Sequence, residues 1–464
     1  MGPFTIVVGV ALVVILVDAL SPRSARAVFW LSAAGLLASF ITAFAEVGSP
    51  GKAFGGMVTT GGYASYFAMV FSVAGLLSVM LSHGYLKAQS MEHGEYYALL
   101  LLSEAGMMLM AASADLIMFF LGLELMSLCF YVLAGFARGR PTSNEAALKY
   151  FLLGAFATGF LLYGISFVYG STGTTGIAII LEKAPLLARS PLFVIGLGLL
   201  VIGLAFKVAA VPFHMWVPDV YEGAPTTVSG FMSTGGKAAA FSAFLLIFAP
   251  GLVQGIGAMR DVLAAVAALS MVIGNVFAIS QTNIKRMLAY SSIAHAGYIL
   301  TGIVAANAAG ANGVLYYLLA YTVMNIGAFG VLGVLETAGG GRLTFDDYAG
   351  LSGAKPMLAG LMALFMFSLA GIPPFAGFFG KYYVFAGAVQ AGYTWLAIVG
   401  VLMSVVSAYY YLRLVVQMYF RDQTLAVEVA VPALSMAALV VSAMSILGLG
   451  MFPSSVLGIT THLF

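Results

Sequence analysis

Three lysines in this sequence stand where an ammonium group is expensive. Lys207, Lys237 and Lys381 each lie inside a long apolar run. Glu124 is the sole charge in LIMFFLGLELMSLCFYVLAGF (116–136), Glu104 is placed similarly, and Lys149 lies one turn inside another such run. On insertion scales each centrally placed charge costs about 2.5–3.5 kcal/mol in a bilayer. Such groups normally face a bundle interior or water, where they mark routes for ions or protons. Amines and carboxylates both take up and release protons, so a line of them can hand protons along.

The spacing around these residues points the same way. Ser127 follows Glu124 by three. Ser229, Ser233 and Lys237 recur at steps of four, which draws one polar stripe along a helix. Ser291, His295 and Tyr298 form a second line, and Tyr317, Tyr321 and Asn325 a third. Several helices would thus present polar faces to one hydrated interior. Two runs are also broken by proline: Pro212 five residues after Lys207, and Pro373–Pro374 seven or eight before Lys381. Proline removes a backbone donor and clashes with the preceding turn. At membrane depth such a break survives only where protein or water satisfies the freed groups.

Some neighbours admit two readings. Glu145 and Lys149, four apart, fit an interfacial salt bridge as well as a proton site. Glu104 fits a structural hydrogen-bonding group as well as a functional one. His295 is either a satisfied core histidine or a relay, and His214, just after the first break, either a cap or a proton carrier.

The elements that position these groups follow from composition. Of the 464 residues, 62% are hydrophobic and 8% charged, against about 25% charged in soluble domains. The chain is therefore expected to be an all-α polytopic membrane protein. Runs of about 20 apolar residues begin near Phe4, Ala25, Tyr63, Tyr96, Leu116, Glu145, Pro191, Thr226, Val262, Lys285, Gly313, Pro356, Tyr393 and Val429. That gives about 14 transmembrane helices in a single membrane domain, 1–464. The first run lacks a basic start and a cleavage site, so it reads as a retained helix. Arg23, Arg26, Lys87, Arg138, Arg140, Lys285, Arg286, Arg342, Lys355 and Arg421 fall in joins after odd-numbered spans. Only Lys52, Lys183, Arg189 and Arg260 fall after even ones. The positive-inside rule then places the odd joins in the cytoplasm and both termini on the non-cytoplasmic side.

Other functions find little support. A net charge of +2 with scattered basic residues does not suit nucleic acid. Cys129 is the only cysteine, so the chain cannot by itself supply a cysteine set for an iron–sulfur cluster. GSTGTTG (170–176) follows no strand and reads as a turn rather than a phosphate loop. His83 and His93, with Glu92 and Glu95, read as a solvated loop rather than a metal site.

LGLELMSLCFYVLAGF, FKVAAVPFHMWVPDVYEGAPTTVSGFMSTGGKAAAF, NIKRMLAYSSIAHAGYIL and LAGIPPFAGFFGKYYVF resemble the antiporter-like subunit family of proton-pumping NADH:quinone oxidoreductase, respiratory complex I, which also includes Mrp antiporter subunits. PDVYEGAPT is closest to the N-type branch, since L, M and Mrp types usually read nearer PDAMEGPTPVS. An M-type chain would usually carry glutamate where Lys381 stands, and an L-type chain a long lateral helix after its last spans, which is not expected here. The resemblance implies two inverted five-helix repeats, spans 4–8 and 9–13, with helices 7 and 12 discontinuous. The corresponding divisions are 1–95, 96–250, 251–425 and 426–464. It also implies a relay through Glu124, Lys207, Lys237 and Lys381, with Lys149, His214 and His295 on further polar positions.

The expected mechanism is lateral proton transfer, Lys207 to Lys237 to Lys381, with Glu124 biasing the first lysine and Lys149 as a route in from the cytoplasm. Unit charges 4 Å apart interact by about 4 kcal/mol at an effective dielectric of 20, so a small movement can switch protonation. No cofactor is expected on this chain; NADH, FMN, iron–sulfur clusters and quinone would belong to partner subunits. The implied partners are the K and M subunits and their neighbours, the lateral helix of the L subunit, and lipid. The implied location is a bacterial cytoplasmic (inner) membrane. The rival readings are an Mrp-type Na+/H+ antiporter subunit and a stand-alone secondary transporter.

Overall fold

A computed structural model describes residues 1–21, 25–248, 250–339, 343–422 and 430–463. Arg23, Arg342 and Val429, used above to place joins and the last span, lie outside the described residues. Among the described residues, twelve helices are long and apolar enough to cross a membrane. They are spans 1 (Gly2–Leu20), 2 (Ala25–Glu46), 3 (Gly62–Ala88), 5 (Leu116–Ala134), 6 (Pro141–Thr172), the first part of 7 (Pro191–Val208), 8 (Thr226–Ile247), 9 (Gly257–Ile279), 10 (Ile284–Ala305), 11 (Ala308–Gly339), 13 (Thr394–Phe420) and 14 (Ala433–Met451). Gly94–Ala112 supplies span 4, and Pro356–Ala370 with Ala376–Gln390 supplies span 12. The expected fourteen spans are thus present, some starting a few residues earlier than the hydropathy placed them.

Burial sorts the spans. In spans 8, 10 and 11, 94% of the membrane-length window is buried, against 33% in spans 6 and 13. The three spans carrying the polar lines therefore form the central column, and the less buried spans 6 and 13 form a wall whose outer faces can meet lipid.

The two repeats pack alike. Span 4 lies on 5 as 9 lies on 10, and span 6 on 7 as 11 on 12. Close crossings at glycine occur in both helix pairs. A Cβ on Gly106 would lie 2.6 Å from the Met126 nitrogen, and one on Gly297 would lie 2.6 Å from the Ala267 oxygen. Only hydrogen fits there, which is how small residues let membrane helices approach.

Both expected breaks are present. Span 7 stops at Val208, turns through Ala209 at φ +64° and resumes as Trp216–Gly223. Span 12 stops at Ala370, turns through Gly371 at φ +87° and resumes at Ala376.

One feature adds to the sequence reading and a second corrects its four-residue stripe. Residues Gly51–Ala53 and Val58–Thr60 form a small antiparallel hairpin, turning through Gly55 and Gly56 at positive φ, in a protein expected to be wholly helical. In span 8, residues Met232–Gly236 form a π-turn. The wider turn breaks the four-residue register, so Ser229, Ser233 and Lys237 do not share one partner line. Ser229 bonds the Tyr221 carbonyl, Ser233 meets Asn325 of span 11, and Lys237 meets Ser292 of span 10. π-turns inside helices are frequent at functional sites, and this one ends at the central lysine.

Candidate functional site

Lys207 ends the first half of span 7 and is buried. Its Nζ donates to Ser127 Oγ at 2.7 Å and, more distantly, to Tyr131 OH at 3.4 Å. The rings of Tyr131, Phe206 and Tyr150 surround it at 5.5, 5.7 and 5.8 Å. Glu124 comes from the same helix as Ser127 but does not touch the lysine; it accepts from Thr158 Oγ1 of span 6 at 3.0 Å. Among the described residues no carboxylate lies within 4.0 Å of Lys207, Lys237 or Lys381. The ammonium groups rest on hydroxyls, carbonyls and ring faces instead.

Lys237 donates to both the carbonyl and the Oγ of Ser292, each at 2.5 Å, and lies 5.8 Å from the Tyr321 ring centre. One turn along span 10, His295 forms a two-sided chain, with Nδ1 at 2.9 Å from Tyr317 OH and Nε2 at 3.1 Å from Tyr411 OH. Tyr411 also hydrogen-bonds Ser291. A further turn along, the Tyr298 ring lies 4.9 Å from the Lys381 ammonium. Ser292, His295 and Tyr298 fall at steps of three, and six residues of helix rise about 9 Å. Span 10 therefore carries a polar edge from the central lysine toward the terminal one.

Lys381 reaches back across its own break. Its Nζ donates to the Leu369 carbonyl at 3.1 Å, the Ala370 carbonyl at 2.9 Å and Ser404 Oγ at 2.7 Å. Those carbonyls end the first half of span 12, where the helix dipole is negative and intrahelical donors are missing. The broken backbone thus solvates the charge. A cavity of about 900 Å³ between spans 12 and 13 opens onto Lys381, with Ala370, Gly371, Phe385, Val401 and Ser404 among its walls.

The break in span 7 is satisfied by protein too. Val211 N–H donates to Ser270 Oγ of span 9 at 2.9 Å, and the Trp216 indole N–H reaches the Phe206 carbonyl at 3.1 Å. Between Lys207 and Lys237 no side-chain hydrogen bond links the two groups among the described residues; Phe130 of span 5 packs on Gly236, next to Lys237, and against Phe231.

The secondary candidates scatter. Lys149 is 41% exposed and pairs with Glu145 at 2.6 Å and Asp219 at 2.7 Å, while Asp219 and Glu222 both hold Arg286. The salt-bridge reading of Glu145 and Lys149 is realised, within a larger cluster joining spans 6, 7 and 10. Glu104 is buried against Gly75, beside Ser72 of span 3 and away from the lysines. His214 makes no side-chain cap on the second half of span 7, though its carbonyl accepts the Val217 N–H at 3.0 Å. His83 and His93 pack on the rings of Phe29 and Phe136, and no group of three metal-ligating side chains forms among the described residues.

The sequence reading missed several groups. Tyr411 and Ser404 come from span 13, and their signal was a set of hydroxyls in an otherwise apolar helix. Ser292 hid beside Ser291. Glu336, which the sequence reading passed over, is 2% exposed, and Lys285, counted as a loop charge, is buried and donates to the Ala224 carbonyl.

Comparison with known proteins adds a family. Residues 113–407 match the family described as NADH:quinone oxidoreductase/Mrp antiporter, TM. The chain is 48% identical to NADH-quinone oxidoreductase subunit N of Trichlorobacter lovleyi, over 97% of this chain and 93% of that one. It is 47% identical to a subunit N of Chloroherpeton thalassium, over 98% and 95%. Among solved structures, a chain of respiratory complex I from Thermus thermophilus with bound aureothin matches with a TM-score of 0.85 and 36% identity, covering 98% of both chains. A chain of the Mrp complex from Dietzia sp. DQ12-45-1b matches with a TM-score of 0.87 at 21% identity, covering 99% and 96%, a likeness of fold.

Proposed function

The chain belongs to the NADH:quinone oxidoreductase/Mrp antiporter family, and from that premise we propose that it is the N-type, proton-translocating membrane-arm subunit of an NADH:quinone oxidoreductase. The supporting observation is the buried line from Lys237 through Ser292, His295 and Tyr298 to Lys381. The likeness to subunit N chains along nearly their whole length supports the assignment within the family.

In this reading Glu124, Lys207, Lys237 and Lys381 are the relay. A shift of Glu124 toward Lys207 holds a proton on that lysine, and its withdrawal lets the proton go, because a charge in a low-dielectric interior depends strongly on its nearest counter-charge. The proton then crosses to Lys237 through water beside Phe130. From Lys237 it moves by Ser292 and the Tyr317–His295–Tyr411 chain, where a neutral imidazole accepts on one nitrogen and donates from the other. Lys381 receives it, and the cavity beside Lys381 is where it leaves or meets charge from a neighbouring subunit. Lys149, His214 and Glu104 lie off this line.

The remaining assignments follow from that role. NADH, FMN, iron–sulfur clusters and quinone sit in partner subunits, and this chain is a non-redox transducer. Its neighbours are the K and M subunits, with the lateral helix of the L subunit along its flank. The divisions 1–95, 96–250, 251–425 and 426–464 are its working units. It resides in a bacterial cytoplasmic membrane with both termini on the non-cytoplasmic side. Affinity purification of the tagged chain from its own membranes tests the assignment. Recovery with flavin- and iron–sulfur-containing subunits is expected; recovery in a complex without redox subunits that exchanges Na+ for H+ would replace it with an antiporter role.

A further inference from the structure

Glu336 takes no part in the lysine line, yet it is buried near one end of span 11. Its Oε1 pairs with Arg140 Nη1 at 2.8 Å; its Oε2 accepts from Thr226 Oγ1 at 2.5 Å and Tyr85 OH at 3.1 Å. Lys285 and Tyr348 also lie within its electrostatic reach. Arg140 is 38% exposed and its other terminal nitrogen holds Gln89. The ion pair thus joins a surface cation to a core carboxylate.

From Glu336, spans 8 and 11 run antiparallel, and polar side chains meet across them at successive levels. Thr226 meets Glu336, Ser233 Oγ accepts from Asn325 Nδ2 at 2.7 Å, and the Lys237 ammonium lies over the Tyr321 ring. Asn325 Oδ1 and Tyr321 OH, both on this seam, are buried without a protein partner. Buried polar atoms in native proteins are paired, with protein or with ordered water. A site offering several such atoms is where water is held. Between the outer and inner polar levels, Phe329 is packed onto Gly230, where an added Cβ would meet the Phe329 Cβ at 3.0 Å.

We propose that the seam between spans 8 and 11 is the proton inlet to Lys237, with Glu336 as its outermost acceptor and Phe329 as its dry constriction. This rests on the relay reading, in which Lys237 passes its proton toward His295 and must be resupplied. Arg140 swings toward water, and the Glu336 carboxylate takes a proton from hydronium, leaving water and a neutral carboxyl. The carboxyl gives that proton, through Thr226 and seam water that bridges Phe329 only when its ring turns aside, to the vacated Lys237 amine, which becomes an ammonium. The carboxylate is restored and Arg140 returns to it. Arg140 keeps the acceptor empty until it moves, and Phe329 prevents a continuous water column from short-circuiting the relay.

The test uses the assembled complex in closed vesicles, measuring protons moved per electron and NADH oxidation. Glu336→Gln and Asn325→Leu should each lower the proton-to-electron ratio to that of Lys237→Met, and Glu336→Asp should recover most of it. Lys149→Gln, at the exposed cluster, should leave the ratio unchanged. Normal ratios in Glu336→Gln and Asn325→Leu, with Lys237→Met impaired, would overturn the inlet and leave the relay standing. A drop in Lys149→Gln alone would also overturn it, placing uptake along spans 6 and 7. Should Glu336→Gln not assemble, Asn325→Leu, which does not touch Arg140, decides the matter. A normal ratio in Lys237→Met would instead strike the relay reading itself.

Discussion

The two broken helices hold their lysines in opposite ways. In span 7 the lysine precedes the break, and the break is closed by other groups: Ser270 takes the Val211 N–H, and the Trp216 indole takes the Phe206 carbonyl. Lys207 gains nothing from the freed backbone and rests on one short bond to Ser127, with Glu124 on the same helix. In span 12 the lysine follows the break and donates to two of the carbonyls it frees. Lys381 therefore carries its own solvation, whereas Lys207 depends on a neighbouring helix. The first lysine is suited to respond to a moving carboxylate, and the last to hold a proton until charge arrives through the cavity beside it.

Breaking that comparison starts with the carboxylate. Unit charges about 6 Å apart at an effective dielectric of 20 interact by about 2.8 kcal/mol, about 100-fold in rate. Glu124→Gln is therefore expected to slow NADH-driven pumping by up to about 100-fold in vesicles, while the complex still assembles. The serines sharpen the contrast. Ser127→Ala removes the one short hydrogen bond that Lys207 makes among the described residues, worth about 1.5 kcal/mol for a charged donor, and should slow pumping about tenfold. Ser404→Ala leaves Lys381 two carbonyls and should cost clearly less in the same assay. Ser270→Ala strands a buried N–H at the first break, at about 1 kcal/mol or more. A lower temperature for thermal inactivation of the purified complex would report it. Glu145→Gln should do least, since exposed ion pairs contribute about 0.2–1 kcal/mol and Asp219 still holds Lys149; its pumping should match the parent's.

Much of this was legible in the sequence, for identifiable reasons. A lone charge in an apolar run has few physical explanations, so Lys207, Lys237, Lys381 and Glu124 stood out, and proline marked both breaks because it cannot continue the hydrogen-bond ladder. What the sequence hid was partnership across spans. Tyr411 sits more than a hundred residues from His295, and only packing brings them together. The π-turn before Lys237 defeated the four-residue pattern, because a wider turn redirects side chains without any change of residue type. Glu336 went unnoticed, since its partners Arg140, Tyr85 and Thr226 arrive from three other parts of the chain.

The relay itself is tested most directly by the proton-to-electron ratio of the purified complex carrying Lys237→Met in proteoliposomes. Methionine keeps the length of the side chain and removes the titratable group. The expected result is an assembled complex that moves fewer protons per electron than the parent; an unchanged ratio would contradict a relay through this lysine.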